Sequence, residues 1–325
     1  FRFDLMGLLD AQTVMSGYEK CAEIKKDVLF IGEGWKMYNG EKGTVGMDQN
    51  YMTKTEKVAV FNDEFRDLAK AGGMSEAGQG FLTGKKVSIP DLFCNCSGKP
   101  VHNYSVTKPS SNVQYFACHD GLTLHDSIVN NIPLDESTEE GKIEAVNRLK
   151  LANALLLTSQ GIAFLHAGQE RGRTKTAFTT AGTDDCETIG NFVKNSYDSS
   201  DNINNFVWNI SDLNKNLLEY TKNLISLRKN NSAFTISTQD EVMSRISLLG
   251  EYCDDFFMAY KIADSEGDWY LFFNSNKEDK KIDFPIENHT KLYADKEKVY
   301  PFGTECCLQD VVVRGSSVLF LRNVK

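Results

Sequence analysis

Residues 28–35 read VLFIGEGW. The unbroken apolar stretch 28–32 is the pattern of a strand covered on both faces, as in a parallel sheet flanked by helices. It stops at Glu33-Gly34-Trp35, which places a carboxylate at the end of a buried strand beside a large aromatic. The neighbouring apolar runs show whether that placement is isolated.

Upstream, residues 1–4 (FRFD) read as a strand ending in Asp4, and 10–25 as a helix. Downstream, VAVF (58–61) is a third strand, followed by Asn62-Asp63 and a short helix, NDEFRDLAKAG, closed by glycine. QYFA (114–117) is a fourth strand with His119-Asp120 after it. A helix is expected over 139–157, with Ile143, Val146, Ala152, Leu155 and Leu156 on or near one face. IAFL (162–165) is a fifth strand, with His166 and then Gln169-Glu170 beyond it, and Leu213, Leu217, Leu224 and Leu227 form the seam of a last helix. Strand–helix alternation implies right-handed crossovers and a parallel sheet. Each of the five strands delivers a carboxylate at or just past its C-terminal end, the face on which α/β barrels build their sites.

From about residue 235 the pattern changes. MAYKIA, WYLFFNSN, KKIDFPI, TKLYAD, DVVVR and VLFLR are short strands between turn residues, with no convincing helix among them. The expected architecture is therefore α/β over 1–234 followed by an all-β sandwich over 235–325. The long connections 39–57 and 72–112, rich in Gly, Asn and Ser, are where function is expected.

A formal net charge of −9 argues against a nucleic-acid backbone or an anionic membrane as partner. No apolar run approaches the roughly 18 residues of a membrane-spanning helix. Of the eight cysteines, Cys21, Cys118, Cys186 and Cys253 are scattered singly, and Cys94/Cys96 and Cys306/Cys307 are too close for a long-range disulfide framework. Buried thiols are expected at Cys21 and Cys118, and a reducing setting is favoured. His102, His125 and His289 have no metal-ligand spacing, and Gly72-Gly73 and the 78–84 glycines lack the G-K-[ST] of a phosphate loop.

Paired carboxylates with a tryptophan suit sugar chemistry. Glycoside hydrolysis needs one carboxyl to protonate the leaving oxygen and another, ionised, to attack the anomeric carbon or activate water. FRFDLMG, IGEGW, FACHDGLTLHDS and LLLTSQGIAFLHAGQE, in this order, resemble the back half of the α-amylase superfamily barrel. VFNDEFRD and NSYDSSDNIN narrow the resemblance to type I pullulanases and their glycogen-debranching relatives. The resemblance covers nearly all of residues 1–230.

The resemblance implies the back half of a (β/α)8 TIM-type barrel, from its fourth to its eighth strand, with the β module as the family's C-terminal domain. It implies Asp4 as nucleophile, Arg2 as the arginine that orients it, Glu33 as general acid/base and Asp120 as the third carboxylate, with His119 gripping the same sugar. Trp35 resembles the stacking residue, and Asp63, Arg66, Tyr197 and Asp201 are implied as cleft or cleft-supporting residues. The implied activity is α-1,6 debranching of pullulan, branched dextrins or glycogen. An amylopullulanase, an isoamylase-type debrancher and a catalytically silent glucan-binding barrel are the alternatives. No cofactor is required on this reading, though a structural calcium fits it, and no metal ligand is assigned. One departure is His119-Asp120-Gly121, where debranching relatives commonly read HDN. The other is the absence of the first three barrel strands, so the missing N-terminal half of the same polypeptide is expected as a partner. Localisation stays open between a bacterial cytoplasm and secretion or the cell surface.

Overall fold

The structure, a computed structural model, describes residues 1–71, 75–177, 186–287, 289–306 and 308–324. Gly72, Gly73 and Cys307 lie outside the described residues. Five parallel strands pair in chain order: β1 (Arg2–Phe3), β2 (Phe30–Gly32), β3 (Val58–Phe61), β4 (Asn112–Gln114) and β5 (Ile162–Ala163). Helix α1 (Ala11–Ile24) connects β1 to β2, α2 (Asp63–Ala69) and α3 (Ile89–Cys96) lie between β3 and β4, and α4 (Leu124–Asn131) and α5 (Glu139–Thr158) between β4 and β5. The β2–β3 connection holds a single 3-10 turn, Gln49–Thr53. On one face of the sheet, Ile31, Ala59, Phe61, Val113, Tyr115, Ile162 and Phe164 pack together. Alternate residues of the same strands, such as Phe30, Val58 and Val60, face the helices. This is the period-two division of a sheet with both faces covered.

Several departures from the sequence reading have local causes. The fourth strand is Asn112–Gln114 rather than 114–117. Asparagine is a poor strand former, but buried Asn112 is satisfied here: its amide donates to the Gly98 and Pro109 carbonyls and its oxygen accepts from the Tyr104 hydroxyl. The helix after β3 does not close on glycine; Ala71 takes the left-handed conformation, at φ 66°. The 72–112 connection contains α3, announced by its Ser88 cap and the Pro90 and Asp91 of its first turn. Cys21 and Cys118 are half-buried, whereas among the described residues Cys96 is the buried thiol.

Helix α5 is not amphipathic. Ile143 is exposed, yet every residue from Ala145 to Thr158 is buried, because the helix is enclosed between the parallel layer and a second sheet. After it come the hairpin β6 (Thr188–Ile189) and β7 (Phe192–Val193), then α6 (Asp201–Asn204) and α7 (Asp212–Asn230).

The segment after residue 234 opens with a helix that the sequence reading omitted, α8 (Gln239–Arg245), capped by the Thr238 hydroxyl accepting from the Glu241 N–H. Its strands are β8 (Ile246–Leu248), β9 (Phe257–Ile262), β10 (Trp269–Asn274), β11 (Lys280–Ile282), β12 (Thr290–Ala294), β13 (Val299–Glu305), β14 (Val311–Val313) and β15 (Ser317–Asn323). Six form one sheet in the order β13-β12-β15-β10-β9-β8, while β11 and β14 pair as a separate ribbon. Pro301 is tolerated because β13 is an edge. Met258, Tyr260, Trp269, Leu271, Phe273 and Phe320 face the helices and join the main core with α5 and α7. Phe257, Phe272, Leu319 and Leu321 on the other face bury the ribbon's Ile282, Val311 and Val313. Buried Arg148 of α5 ties the layers, donating to Glu144 and to the carbonyls of Leu82 and Ser275.

Candidate active site

At the C-terminal rim of the parallel sheet, β1 ends in Asp4 and the chain turns through Leu5, a non-glycine residue at φ 42°. That strained conformation aims the Leu5 N–H at the next strand's end, where it donates to Glu33 Oε2 at 2.7 Å. Arg2 joins the two carboxylates: Nη1 lies 2.5 Å from Asp4 Oδ1 and Nη2 3.0 Å from Glu33 Oε1. Burial opposes the guanidinium's charge, but the Asp4 hydrogen bond and the charges of Glu33 and Asp4 hold its pKa above the usual arginine value. Asp4 is open to solvent, with 72% of its side chain exposed, while Glu33 is buried. The two acids thus sit side by side with opposite access.

Close approach of the two loops depends on Gly7. A Cβ there would stand 1.8 Å from the Trp35 carbonyl oxygen, while the Gly7 N–H donates to the Glu33 carbonyl. Trp35 is half-buried and packs against the apolar cluster that lines this face of the sheet. Cys118 joins the same cluster beyond β4, and burial pushes its thiol up. The Sγ of Cys118, a ring nitrogen of His119 and a carboxylate oxygen of Asp120 lie within 4.8 Å of one another. His119 Nε2 is 3.4 Å from Asp120 Oδ2, and both side chains are about half exposed. His166, past β5, is held neutral: burial first, then the charges of Arg173 and Lys175, lower its pKa to about 4.

The remaining sequence-selected residues divide. Asp63 is a strut, accepting from Gln49 Nε2 at 2.9 Å and Asn103 Nδ2 at 3.1 Å, and so ties together the loops after β2 and β3. Arg66 pairs through two bonds with Asp67 and donates to the Tyr115 hydroxyl. Tyr197 and Asp201 are exposed on the segment between β7 and α7, and neither hydrogen-bonds to Arg2, Asp4 or Glu33.

The sequence reading missed Glu64 and the Asp126 cluster. Burial works against the Glu64 carboxylate, yet donors from Asn95, Asn103, Val101 and His102 lower its pKa, so it clamps the 101–103 loop. Asp126, fully buried, accepts from Thr174 Oγ1 and the Lys175 N–H. His125 lies between Asp126 and Glu136, at 3.2 and 2.9 Å. Burial opposes its charge, but the two carboxylates raise its pKa to about 9. Acids following strands or opening helices were legible, but their partners come from segments up to 49 residues away.

No protein-family model matches the chain. In sequence, 177 residues, 54% of the chain, are 40% identical to pullulanase A of Streptococcus pneumoniae, of which they cover 14%. The pullulanase of Bacillus subtilis is 31% identical over 178 residues, 24% of its length. In structure, the catalytic module of the multi-modular glycogen-degrading pneumococcal virulence factor SpuA superposes with a TM-score of 0.89 at 30% identity, covering 99% of this chain and 51% of that one. The Group B Streptococcus pullulanase SAP in complex with maltotetraose gives 0.87 at 29% identity, over 100% and 47%. The chain therefore spans about half or less of the relatives it matches. It is pullulanase-like in sequence and shares the mixed α/β organisation of pullulanase catalytic modules.

Proposed function

We propose that this pullulanase-like chain carries the catalytic carboxylates of an α-glucan debranching hydrolase that cleaves α-1,6 bonds in pullulan, branched dextrins or glycogen with retention of configuration. The observation that carries the reading is the Arg2 guanidinium bonded to both Asp4 and Glu33 at adjacent parallel strand ends. One guanidinium spanning both acids fits the short separation of roughly 5–5.5 Å that retaining glycosidases use.

In this mechanism the exposed Asp4 attacks the anomeric carbon while Glu33 gives its proton to the leaving oxygen; Glu33 then takes a proton from the water that releases the sugar. Glu33 Oε2 accepts from the Leu5 N–H and Oε1 forms the ion pair with Arg2, so these two groups hold in place the carboxyl that carries the proton. Asp120 and His119 grip the sugar hydroxyls, and Trp35 offers a partly exposed face for stacking.

The same reading makes β1–β5 the fourth to eighth strands of a (β/α)8 barrel that leads into a β-sandwich-type domain. Among the described residues β1 pairs only with β2 and β5 only with β4, which leaves two parallel edges. Phe1, Leu8, Leu9, Ile24 and Leu29 are exposed near the first of them. Three further strands would satisfy those edges and cover that apolar surface.

The full-length polypeptide is expected to release α-anomeric product first from pullulan in an NMR time course. Early β-anomer would overturn retention, rapid maltose from amylose would overturn the debranching assignment, and glucan binding without hydrolysis would favour a silent barrel. Residues 1–325 expressed alone are expected to aggregate without turnover, and a soluble, active 1–325 would refute barrel closure by further strands.

A further inference from the structure

The turn that carries His119 and Asp120 is held by groups that the catalytic scheme does not use. Lys175 is buried, and its ammonium donates to the Gly121 carbonyl at 2.8 Å, the Lys194 carbonyl at 3.2 Å and Ser196 Oγ at 3.3 Å. Its own N–H donates to Asp126 Oδ2 at 2.8 Å, and its carbonyl accepts from the Val193 N–H. The other side of the turn is fixed by Asn195, whose Oδ1 accepts from the Gly121 N–H at 2.9 Å.

Gly121 itself is at φ +75°, and a Cβ there would stand 2.0 Å from Glu76 Oε1. The Glu76 carboxylate is held at that spot by a buried ion pair with Lys70 at 2.5 Å. The glycine is therefore needed both for its conformation and for the space that Glu76 occupies. The N–H, the carbonyl and the Cα face of Gly121 are thus all engaged.

We propose that Lys175 is the positioning residue for Asp120, coupling the 118–121 turn to the 193–196 segment so that the two are ordered as one unit. Three acceptors meet the three donors of an ammonium, a match that a neutral amine with two donors loses. Burial lowers the Lys175 pKa to about 8, with Asp126 and Glu76 favouring its charge, Arg173 opposing it, and Cys118 and the neutral His166 nearby. The role assigned to Asp120 rests on the glycosidase reading, whereas the coupling of the two segments does not.

The test uses the full-length protein with Lys175→Met, Lys175→Arg and Asn195→Ala, read by amide hydrogen exchange and by steady-state kinetics on pullulan. Lys175→Met is expected to reduce protection of 118–121 and 193–196 together by about tenfold, the scale of a lost charge-assisted hydrogen bond. It is expected to lower kcat by about a hundredfold while KM stays within about threefold, because misplacement of a transition-state contact acts on the chemical step. Lys175→Arg should restore most of both, and Asn195→Ala should loosen the same two segments. Unchanged protection, loss in only one segment, or joint loss with kcat unaltered would overturn the proposal. Absence of any glucan hydrolysis by the wild type would count against the glycosidase reading, and joint loss of protection would still support the coupling.

Discussion

The parallel sheet and the antiparallel sheet of this chain use acidic residues in opposite ways. In the parallel sheet every strand runs the same way, so the residues after each strand gather on one rim. Asp4 and Glu33 meet there with Arg2 between them, and Cys118, which precedes His119-Asp120, lies within charge range of Arg2 and Glu33. In the antiparallel sheet successive ends alternate between rims, and the acids are consumed locally. Asp254 pairs with Lys280, Asp268 with Lys261, Asp264 with Arg322 and Arg245, and Asp279 with Arg314. Strand direction decides whether acids at strand ends can converge on a substrate or only on their neighbours.

The comparison breaks if the two regions respond alike to substitution. The largest effect is expected at the rim: Asp4→Asn in the full-length protein should lower kcat/KM by several kcal/mol, roughly a thousandfold or more, because the proposed mechanism forms its covalent bond through Asp4. Its melting temperature should stay within a few degrees of wild type, since Asp4 is exposed. A variant retaining a tenth of wild-type activity would remove Asp4 from the mechanism. The opposite profile is expected in the second sheet. Trp269→Ala, which empties a fully buried site between Phe234 and Tyr293, should cost about 3–5 kcal/mol in denaturant unfolding. The part of the population that stays folded should keep its kcat.

A third prediction concerns pH and the Asp126 cluster. The folded pKa of His125, about 9, lies above the ordinary histidine value of 6.5. Its contribution to stability is therefore fully present below pH 6.5 and is lost as pH rises through 9, at most roughly 3 kcal/mol in all. Melting temperatures of the wild type should fall across that window, and His125→Gln should flatten the slope; an equally steep slope in the variant would place the titration elsewhere. The smallest effect is expected at Trp35. Trp35→Ala should raise KM or lower kcat through a stacking loss of about 1 kcal/mol without unfolding the sheet, because the indole is only partly buried. Loss of the folded state in that variant would make Trp35 a core residue.

Strand identity and the acids at strand ends were legible because both depend on local pattern. Val58–Phe61 is a strand with the bounds its apolar run gives, and Asp4 and Glu33 follow their strands as read, while His119 and Asp120 stand five and six residues past the end of β4 rather than just beyond it. Helix signals at Ser88 and Thr238 were present, but the glycine, asparagine and serine content of 72–112 and the succession of short strands after 235 outweighed a single cap. The one-sided face expected for α5 could not reveal the second sheet that buries its other side.

What the sequence by itself determined, then, is the set of elements and which residues stand at their ends, since hydrophobic period and capping act over a few neighbours. What only the tertiary structure decided is which of those residues act together. The sequence reading made Arg2 a partner of Asp4, two residues away; the fold makes it a bridge to Glu33 as well, across 31 positions. It likewise gives Asp63 two loops to hold, surrounds His125 with two carboxylates, and sets Glu76 in the space that the missing side chain of Gly121 leaves. Charge and hydrogen-bond interactions act through distance in space, and that distance is fixed only when parallel pairing brings remote strand ends to one rim.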